Sequence, residues 1–333
     1  MRRIFLFAFI GLALVSPAHS EVTMEKKAYG GWPNCIVLSN GTVEAIVITD
    51  VGPRIMRYGF IGGQNLLNEY PDMLGKTGGE DWRIYGGHRL WHAPEAKPRT
   101  YAPDNSPVKH EWDGVTLRVT QDTEKSTGIQ KQMEIALDSG SSKITILHRL
   151  TNHNEWDVKL APWALTVMAK EGRAIYPQEP YIAHDDYLLP ARPLVLWHYT
   201  DMQDPRWTWG TKYIQLRQDP ASATSQKAGF KNARGWAAYT LKGDVFIKRF
   251  THDEDGEYVD FGCSTETFTN ADMLEIETLG PLSKIGSAGG TVEHVEEWFL
   301  FKAEVGGTDA QIDATLIPLL EQISAGAPKA ARK

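Results

Sequence analysis

The stretch "CIVLSNGTVEAIVITD", residues 35–50, decides the fold class. Its apolar residues stop at Asn40-Gly41 and resume shortly after, and Asn-Gly is the strongest short signal for the tight turn of a β-hairpin. The same arrangement recurs at three further turns: Asp113-Gly114, residues 138–142 and residues 242–244. A further strand-like segment at residues 291–305 closes the series. Repeated hairpins predict an all-β protein built from antiparallel sheets.

The C-terminal segment is the one part of the sequence with convincing helical periodicity. Its apolar residues with helical spacing are Ile312, Leu316, Leu319, Leu320 and Ile323. Thr308 or Asp309 is the expected N-cap of this helix. Pro318 is expected to kink or divide it, because proline removes a backbone hydrogen bond.

The first twenty residues, "MRRIFLFAFIGLALVSPAHS", have the pattern of a secretory signal peptide with cleavage before Glu21. The apolar run is too short for a transmembrane helix of the mature protein, and no later stretch is long enough. We therefore expect an exported protein, periplasmic or secreted, with no membrane attachment after cleavage. The predicted organisation is a signal peptide at 1–20, one β-sandwich domain at 21–305, a C-terminal helix at 306–325 and a disordered tail at 326–333.

The two cysteines, Cys35 and Cys263, allow two interpretations. In an oxidising compartment they form one disulfide. Alternatively, both are buried free thiols on separate strands. Neither cysteine has a Cys or His neighbour at the spacing of a zinc site.

The composition favours a small-molecule ligand over a nucleic acid. The net charge is −7 and no basic stripe is visible, whereas phosphate binding requires one. Eleven tryptophans and twelve tyrosines supply flat rings of the kind that stack on the C–H faces of sugars. The expected partner is a sugar or oligosaccharide, and nothing in the sequence calls for a metal or nucleotide cofactor.

The segment "YGGHRLWHAPE", residues 85–95, concentrates candidate site residues. If it is extended, His88 and His92 share one face, while Arg89 and Trp91 share the other. Two histidines four residues apart also occur in the zinc-protease helix, but arginine stands here in place of that motif's glutamate. The glycine pair and the proline within the segment also leave no room for a helix. We therefore expect no metal here.

Two roles are predicted for this segment. A histidine with a pKa near neutrality is the natural proton donor to a sugar ring oxygen, which makes His88 and His92 candidate acids. Arg89 is a candidate clamp for a hydroxyl or carboxylate group. The alternative is that all three are packed residues with satisfied hydrogen bonds.

The segment "NADMLEIETLGPL", residues 270–282, places two carboxylates on one strand face. As a strand, it turns Glu275 and Glu277 to the same side as Met273 and Leu279. Like charges in a cleft raise each other's pKa, which suits a general base. The alternative is a solvated outer face, which the two apolar neighbours make less favourable.

Two further clusters carry weaker signals. Arg206, Trp207 and Trp209 fall in a predicted loop and form a candidate sugar-stacking platform, although the same residues also suit a buried position. Lys227 and Lys231 are interpreted as solvated lysines near the end of a loop.

Taken together, these segments resemble the galactose mutarotase-like superfamily, which includes aldose 1-epimerases and hexose-6-phosphate epimerases. The resemblance rests on the Gly-Gly-His-Arg strip, on "IETLGPLSKI" at residues 276–285 and on "GSAGGTVEHVEEWFLF" at residues 286–301, and it extends over most of the mature chain. It implies a supersandwich of antiparallel sheets and a cofactor-free ring opening of sugars. It also implies that Glu277 is the general base, with Glu275 as the neighbouring candidate.

Two positions depart from the superfamily pattern. Ala161-Pro162-Trp163 stands where a mid-chain strand would carry the histidine that protonates the ring oxygen, and Leu279 replaces the glutamine of the glutamate motif. We therefore expect His88 or His92 to supply the acid from the other side of the cleft. This expectation fails if the two histidines lie on the opposite face from Glu277.

Two functions are compatible with these residues. The first is an aldose 1-epimerase-like isomerase that interconverts sugar anomers by acid/base ring opening. The second is a non-catalytic periplasmic carbohydrate-binding protein that uses the same cleft, with Trp91, Trp207 and Trp209 as stacking platforms. The clustered histidines and the glutamate strand favour the first, and the missing mid-chain histidine favours the second.

Overall fold

The computed structural model describes residues 21–325, which form two antiparallel β-sheets packed face to face. In chain order the strands are β1 Thr23–Tyr29, β2 Trp32–Ser39, β3 Val43–Ile48, β4 Arg54–Phe60, β5 His88–Ala93, β6 Lys109–Trp112, β7 Thr116–Thr120, β8 Ile129–Leu137, β9 Ile144–Asn152, β10 Val158–Met168, β11 Arg173–Pro177, β12 Leu194–Leu196, β13 Trp207–Trp209, β14 Tyr213–Arg217, β15 Gln226–Phe230, β16 Trp236–Leu241, β17 Asp244–Phe250, β18 Thr265–Thr269, β19 Leu274–Leu279, β20 Ser283–Ile285 and β21 Gly290–Lys302. Short 3₁₀ turns occur at Pro71–Met73 and Arg99–Tyr101, and a four-residue turn at Val259–Gly262.

The larger sheet has eleven strands in the order β1-β2-β3-β4-β5-β10-β19-β18-β15-β12, with β20 paired to β10. The smaller sheet has ten, in the order β13-β14-β11-β16-β17-β21-β9-β8-β7-β6. The main apolar core lies between them, with Ile36 and Leu38 from one sheet and Ile135 and Ile146 from the other. The prediction of an all-β supersandwich is confirmed.

The predicted hairpins are present. Asn40-Gly41 joins β2 to β3, and the other three predicted turns join β6 to β7, β8 to β9 and β16 to β17. At the first turn the Asn40 side-chain oxygen accepts hydrogen bonds of 3.0 Å from the backbone N–H groups of Thr42 and Val43. Gly41 takes a φ of +83°, which glycine adopts without a steric cost. Turn chemistry therefore set these strand boundaries locally.

The C-terminal helix spans Asp309–Ala325 and covers the outer face of the smaller sheet. Thr308 is its N-cap: the Thr308 hydroxyl accepts from the backbone N–H of Gln311 at 3.3 Å, and the Gln311 side chain accepts from the backbone N–H of Thr308 at 3.1 Å. Pro318 does not divide the helix. It is exposed, so water reaches the carbonyl that loses its helical partner.

Both cysteines are buried free thiols, so the free-thiol interpretation is confirmed and the disulfide interpretation is wrong. Cys35 lies in β2 and Cys263 lies just before β18, and several strands of the larger sheet separate β2 from β18. The predicted signal peptide and the predicted disordered tail lie outside the described residues. Between residues 21 and 325, no helix is long and apolar enough to cross a membrane.

Candidate functional site

The candidate site is a cleft on the outer face of the larger sheet, turned away from the smaller sheet. Strands β5, β10, β19 and β18 lie side by side there, and their register sets Arg89, Leu165, Glu277 and Glu266 opposite one another in a row. Residues that pair directly across antiparallel strands point to the same face. The cleft above this row has a volume of about 350 Å³.

A glycine pair fixes how strand β5 enters the site. Gly86 and Gly87 have left-handed φ angles of +101° and +67°. A Cβ atom at Gly86 would lie 2.2 Å from the carbonyl oxygen of Asn68, and one at Gly87 would lie 2.3 Å from that of Ile55. Only glycine tolerates such close approach. The pair therefore sets the alternation of the next six residues between the two faces.

Glu277 lies in the floor of the cleft and is 1% exposed. Trp163 Nε1 donates a hydrogen bond of 2.9 Å to Glu277 Oε2, and Lys227 Nζ lies 3.5 Å from the same oxygen. Burial raises the pKa of Glu277 to about 7; Lys227 opposes this rise and Glu275 adds to it. A carboxyl group with this pKa can accept and return a proton near neutrality.

Lys227, on β15, brings a buried positive charge to the same floor. Its Nζ lies 2.7 Å from Glu266 Oε2. It also lies 4.9 Å from the ring centroid of Trp163 and 4.5 Å from that of Trp197. Burial disfavours the charged form, but Glu277 and Glu266 outweigh burial and hold the pKa of Lys227 well above its ordinary value. Lys227 is therefore an ammonium group shared by two carboxyl groups.

Arg89 lies at the other side of the cleft and pairs with Glu275. Arg89 Nη1 is 2.9 Å from Glu275 Oε1, and both side chains are almost fully buried. The guanidinium carbon lies 4.5 Å from the ring centroid of Trp91 and 5.7 Å from that of Trp82. These contacts hold the guanidinium group in place against the cleft wall.

Several buried polar atoms of the cleft lack a hydrogen-bond partner among the described residues. They are Arg89 Nε, Trp82 Nε1 and Glu277 Oε1. Buried polar groups in folded proteins are nearly always hydrogen-bonded, and an unmet donor or acceptor costs about 1–3 kcal/mol. Unmet donors and acceptors in one cleft indicate an occupant that both donates and accepts hydrogen bonds.

Aromatic rings form much of the cleft wall. The lining rings are Tyr70, Trp82, Trp91, Tyr101, Trp163, Tyr199 and Phe268. Trp91 connects several of them, with ring centroids 5.3 Å from Trp82, 5.0 Å from Tyr101 and 5.4 Å from Trp163. Edge-to-face packing of this kind gives a rigid apolar wall beside the polar floor.

His88 and His92 do not face this cleft, so the expectation that they act opposite Glu277 is wrong. Strand alternation turns both histidines to the inner face of the larger sheet, and both are fully buried there. Arg89 and Trp91, the intervening residues, face the cleft instead. The predicted pairing of side chains on β5 was thus correct, but the histidine face is the packed one.

His88 belongs to a buried hydrogen-bond network between the sheets. His148 Nδ1 lies 3.0 Å from the carbonyl oxygen of His294 and must donate to it, which leaves His148 Nε2 as an acceptor. His88 Nε2 donates to that nitrogen at 2.7 Å, and Thr166 Oγ1 donates to His88 Nδ1 at 2.9 Å. Burial holds the pKa of His88 well below its ordinary value, so it is neutral.

His92 lies in a second buried group. Its Nε2 is 3.3 Å from Glu124 Oε2, and its Nδ1 is 2.7 Å from an Arg99 guanidinium nitrogen. Lys131 Nζ contacts the other Glu124 oxygen at 2.5 Å. Burial lowers the pKa of His92, while Glu124 opposes this shift. The alternative interpretation, a packed histidine with satisfied partners, describes both histidines.

One group in the described part of the chain has the ligand types of a metal site. His88, His148 and Glu296 place their ligand atoms within 4.8 Å of one another. However, Lys248 Nζ lies 2.8 Å from Glu296 Oε1, and Trp298 Nε1 donates to Glu296 Oε2 at 2.8 Å. A metal ion would have to sit beside that ammonium group, which would repel it. The group is therefore better described as a core hydrogen-bond network.

Arg206, Trp207 and Trp209 lie away from the cleft, so they are not its stacking platform. Arg206 is 2% exposed and binds Asp204 through two nitrogens, at 2.9 and 2.8 Å. Trp207 is also buried, and its Nε1 donates to Gln226 Oε1 at 3.1 Å. Trp209 stacks on Trp207 with ring centroids 4.6 Å apart. The alternative that these residues are structural fits the first two.

The sequence analysis missed Lys227, Trp163, Trp82 and Glu266 as site residues. Lys227 was interpreted as solvated, which is wrong: its segment is strand β15, paired with β18 beside the glutamate strand. Trp163 was noted only as the residue in place of a histidine. Because the pairing of β15, β18 and β19 brings together residues 227, 266 and 277, no local pattern could have grouped them.

No protein-family model matches the chain, and no curated protein matches it in sequence. Solved structures do match it. A galactose mutarotase-like protein from Lactobacillus casei ATCC 334 is 10% identical with a TM-score of 0.53, over 80% of this chain and 100% of its own. Another from Clostridium acetobutylicum is 12% identical with a TM-score of 0.52, over 85% and 99%. The Slr1438 protein from Synechocystis sp. PCC 6803 is 9% identical with a TM-score of 0.53, over 90% and 100%.

At these identities the likeness concerns the fold alone. It agrees with the architecture of two antiparallel sheets. This chain therefore has the galactose mutarotase-like fold.

Proposed function

We propose that this protein acts on carbohydrates and interconverts sugar anomers by cofactor-free acid/base ring opening, with Glu277 as the general base. One observation carries the proposal: the unpartnered polar atoms Arg89 Nε, Trp82 Nε1 and Glu277 Oε1 face one aromatic-walled cleft. A hydroxyl group donates one hydrogen bond and accepts two, so a polyhydroxylated ring matches this mixture.

The shape of the cleft supports a sugar as the occupant. A volume of about 350 Å³ lies within the range of small-ligand pockets, roughly 300–1,000 Å³. The aromatic wall offers ring faces and edges to the C–H groups of a pyranose. Arg89 and Glu275, the predicted binding residues of the floor, are then the partners of the hydroxyl groups, and Trp91 belongs to the wall.

In the proposed reaction, Glu277 removes the proton of the anomeric hydroxyl through Oε1, the oxygen that Trp163 does not occupy. The bond between the anomeric carbon and the ring oxygen breaks, the aldehyde rotates, and the ring closes with the other configuration. The return of the proton from Glu277 completes the cycle. The ring oxygen needs a proton from a different group, since His88 and His92 face the core.

Mutarotation tests the proposal directly. Freshly dissolved α-glucose and α-galactose are followed by optical rotation with the purified protein and with Glu277→Gln. We expect the acceleration by the protein to fall by about 10²–10⁴-fold in the variant, the usual contribution of a general base. Glu293→Gln removes a carboxylate of similar charge from the outer surface of β21 and should leave the rate unchanged. No acceleration by the wild-type protein on several sugars would refute catalysis.

A second candidate is a carbohydrate-binding protein without turnover. It is favoured by one observation: in the described part of the chain, no histidine lines the cleft. Titration calorimetry with the same sugars distinguishes the two. Binding without acceleration supports the second candidate, and binding that Glu277→Gln leaves intact while acceleration disappears supports the first.

We further propose that the protein works in the periplasm or outside the cell. The support is the signal-peptide pattern of the first twenty residues. N-terminal sequencing of the protein expressed with its own leader should give Glu21 as the first residue of the exported form. Retention of the leader in the cytoplasmic fraction would contradict this.

A further inference from the structure

Lys227 is a buried lysine whose ammonium group is only partly hydrogen-bonded within the fold. Its side chain is 6% exposed, and its closest polar contact is Glu266 Oε2 at 2.7 Å. The next is Glu277 Oε2, at 3.5 Å, which is an ion pair beyond ordinary hydrogen-bond length. Lys227 also lines the cleft, so an ammonium hydrogen remains for a ligand.

Lys248, the buried lysine of the core, is the comparison: its ammonium group has a full set of hydrogen-bond acceptors. Its Nζ lies 2.6 Å from Thr166 Oγ1, 2.8 Å from Glu296 Oε1 and 3.4 Å from the carbonyl oxygen of Ile276. Three acceptors thus match its three hydrogens. The ammonium group of Lys227 instead has two indole faces and the open cleft around it.

The position of Lys227 relative to Glu277 suits a reaction at two oxygen atoms that are bonded to one carbon. In a pyranose the anomeric hydroxyl and the ring oxygen are bonded to the same carbon. A base and an acid that act on them must therefore reach atoms a few ångströms apart. Glu277 and Lys227 approach the same part of the cleft from strands β19 and β15, which lie on either side of β18.

We propose that Lys227 is the acid that complements Glu277: it hydrogen-bonds the ring oxygen and gives it a proton as the ring opens. This inference rests on the proposed function. When Glu277 takes the hydroxyl proton, the electron pair of that O–H bond forms the aldehyde C=O bond. The pair of the broken C–O bond goes to the ring oxygen, which takes a proton from the Lys227 ammonium group. On closure the neutral amine takes this proton back.

The chemistry is feasible although an ammonium group is a weak acid. The ring oxygen leaves as an alkoxide, and an alkoxide is far more basic than an amine, so the proton moves downhill. The nearby carboxyl groups of Glu266 and Glu277 keep Lys227 charged until that moment. The indole walls of Trp163 and Trp197 shield the ion from water, which strengthens its interaction with developing negative charge.

The other candidate donors of the cleft are less suitable. Arg89 is paired with Glu275, and a guanidinium group does not release its proton. Tyr101 donates its hydroxyl hydrogen to Glu95. Tyr199 lines the cleft, but burial raises its pKa to about 12 and no hydrogen bond of its hydroxyl group within the described residues directs it toward Glu277. Tyr199→Phe is therefore the comparison variant for the experiment.

The experiment measures mutarotation of α-glucose by wild type, Lys227→Ala, Lys227→Arg and Tyr199→Phe. We expect Lys227→Ala to lower kcat by about 10²–10⁴-fold, a larger loss than that of Tyr199→Phe, which removes the rival donor. Added methylammonium should restore part of the rate of Lys227→Ala in a saturable way, because a small amine can occupy the vacated space. It should have no effect on the wild type. Lys231→Met removes a lysine paired with Glu254 outside the cleft and should leave kcat unchanged.

Three outcomes overturn the inference. One is an active wild type with Lys227→Ala at the wild-type rate. Another is a loss confined to KM with no rescue by methylammonium, which would make Lys227 a positioning residue. The third is a loss as large in Tyr199→Phe.

If Lys227→Ala does not fold, the double variant Lys227→Met with Glu266→Gln removes the ammonium group and one carboxyl group together, and its kcat is measured instead. An inactive wild type refutes the proposed function, a different result from any of these.

Discussion

The two faces of the central strands of the larger sheet carry similar charged and polar residues, but the two sets differ in their hydrogen bonding. On the inner face, His88 of β5 and Thr166 of β10 join Lys248 and Glu296 of the smaller sheet in one network. On the outer face, Arg89 of β5 lies among carboxyl groups and indole rings of the cleft. Both faces hold buried ions, and consecutive residues of one strand, His88 and Arg89, contribute to the two networks.

The difference lies in how complete the hydrogen bonding is. On the inner face, Glu296 accepts from Lys248, Thr278 and Trp298, and both ring nitrogens of His88 and of His148 have partners. On the outer face, Glu277 and Arg89 retain buried atoms without a partner. Natural proteins accept such incomplete bonding mainly where function requires it. Histidine and glutamate content alone therefore does not identify a site; what distinguishes the outer face is that its unmatched polar atoms line one cleft.

The largest expected effect is on the free energy of unfolding, which should fall for a variant on the inner face but not for one on the outer face. Lys248→Met should lower the free energy of unfolding by about 3–5 kcal/mol, because it leaves Glu296 buried without its counter-ion. Glu277→Gln should not lower it at pH 7, because a glutamine of the same shape still accepts from Trp163 and avoids the cost of ionising a buried carboxyl group. Urea denaturation monitored by tryptophan fluorescence measures both. Similar losses in the two variants would show that the inner network is not the structural one.

The pH dependence of stability should have opposite signs on the two faces. Burial lowers the pKa of His294 to about 3, so between pH 6.5 and 3 the unfolded chain takes up a proton that the folded chain does not, and stability falls as pH falls. Burial raises the pKa of Glu277 to about 7, so its folded state holds the extra proton between pH 4.5 and 7, and stability falls as pH rises.

Two variants with a non-titrating glutamine measure these contributions. His294→Gln should reduce the pH slope of the unfolding free energy by about 1.4 kcal/mol per pH unit on the acid side. Glu277→Gln should be more stable than wild type above pH 7, with the gain disappearing toward pH 4.5. Urea denaturation at a series of pH values gives both slopes. A slope unaffected by His294→Gln would mean that this histidine is protonated in the folded protein.

The smallest expected effect compares two indole N–H groups. Trp82 Nε1 has no partner among residues 21–325, whereas Trp207 Nε1 donates to Gln226. Trp82→Phe should weaken sugar binding about fivefold, one neutral hydrogen bond, and change stability little. Trp207→Phe should leave affinity unchanged and cost about 1–3 kcal/mol of stability, because Gln226 loses its donor. Calorimetry and urea denaturation test the pair. The contrast fails if both variants weaken binding equally.

Most of the fold was predictable because its signals are local. Asn40-Gly41 and the other turns need particular φ angles at particular residues, and the helix after Thr308 begins at its own cap. The alternation on β19 was also predicted correctly: Glu275 and Glu277 share the cleft face. Which face of β5 would be the packed one was not predictable, since both faces carry polar residues and both are buried.

By itself, the sequence determined the antiparallel sheets, the C-terminal helix and the face that each strand residue shares with its neighbours, because turn geometry and strand periodicity act over a few residues. Only the tertiary structure decided that Lys227 and Glu266 meet Glu277, and that His88 turns to the core. Those contacts join strands far apart in the chain, and their formation depends on strand order and sheet packing. Strand order and sheet packing thus decide which residues meet in the cleft, while strand periodicity decides which residues of each strand face the same side.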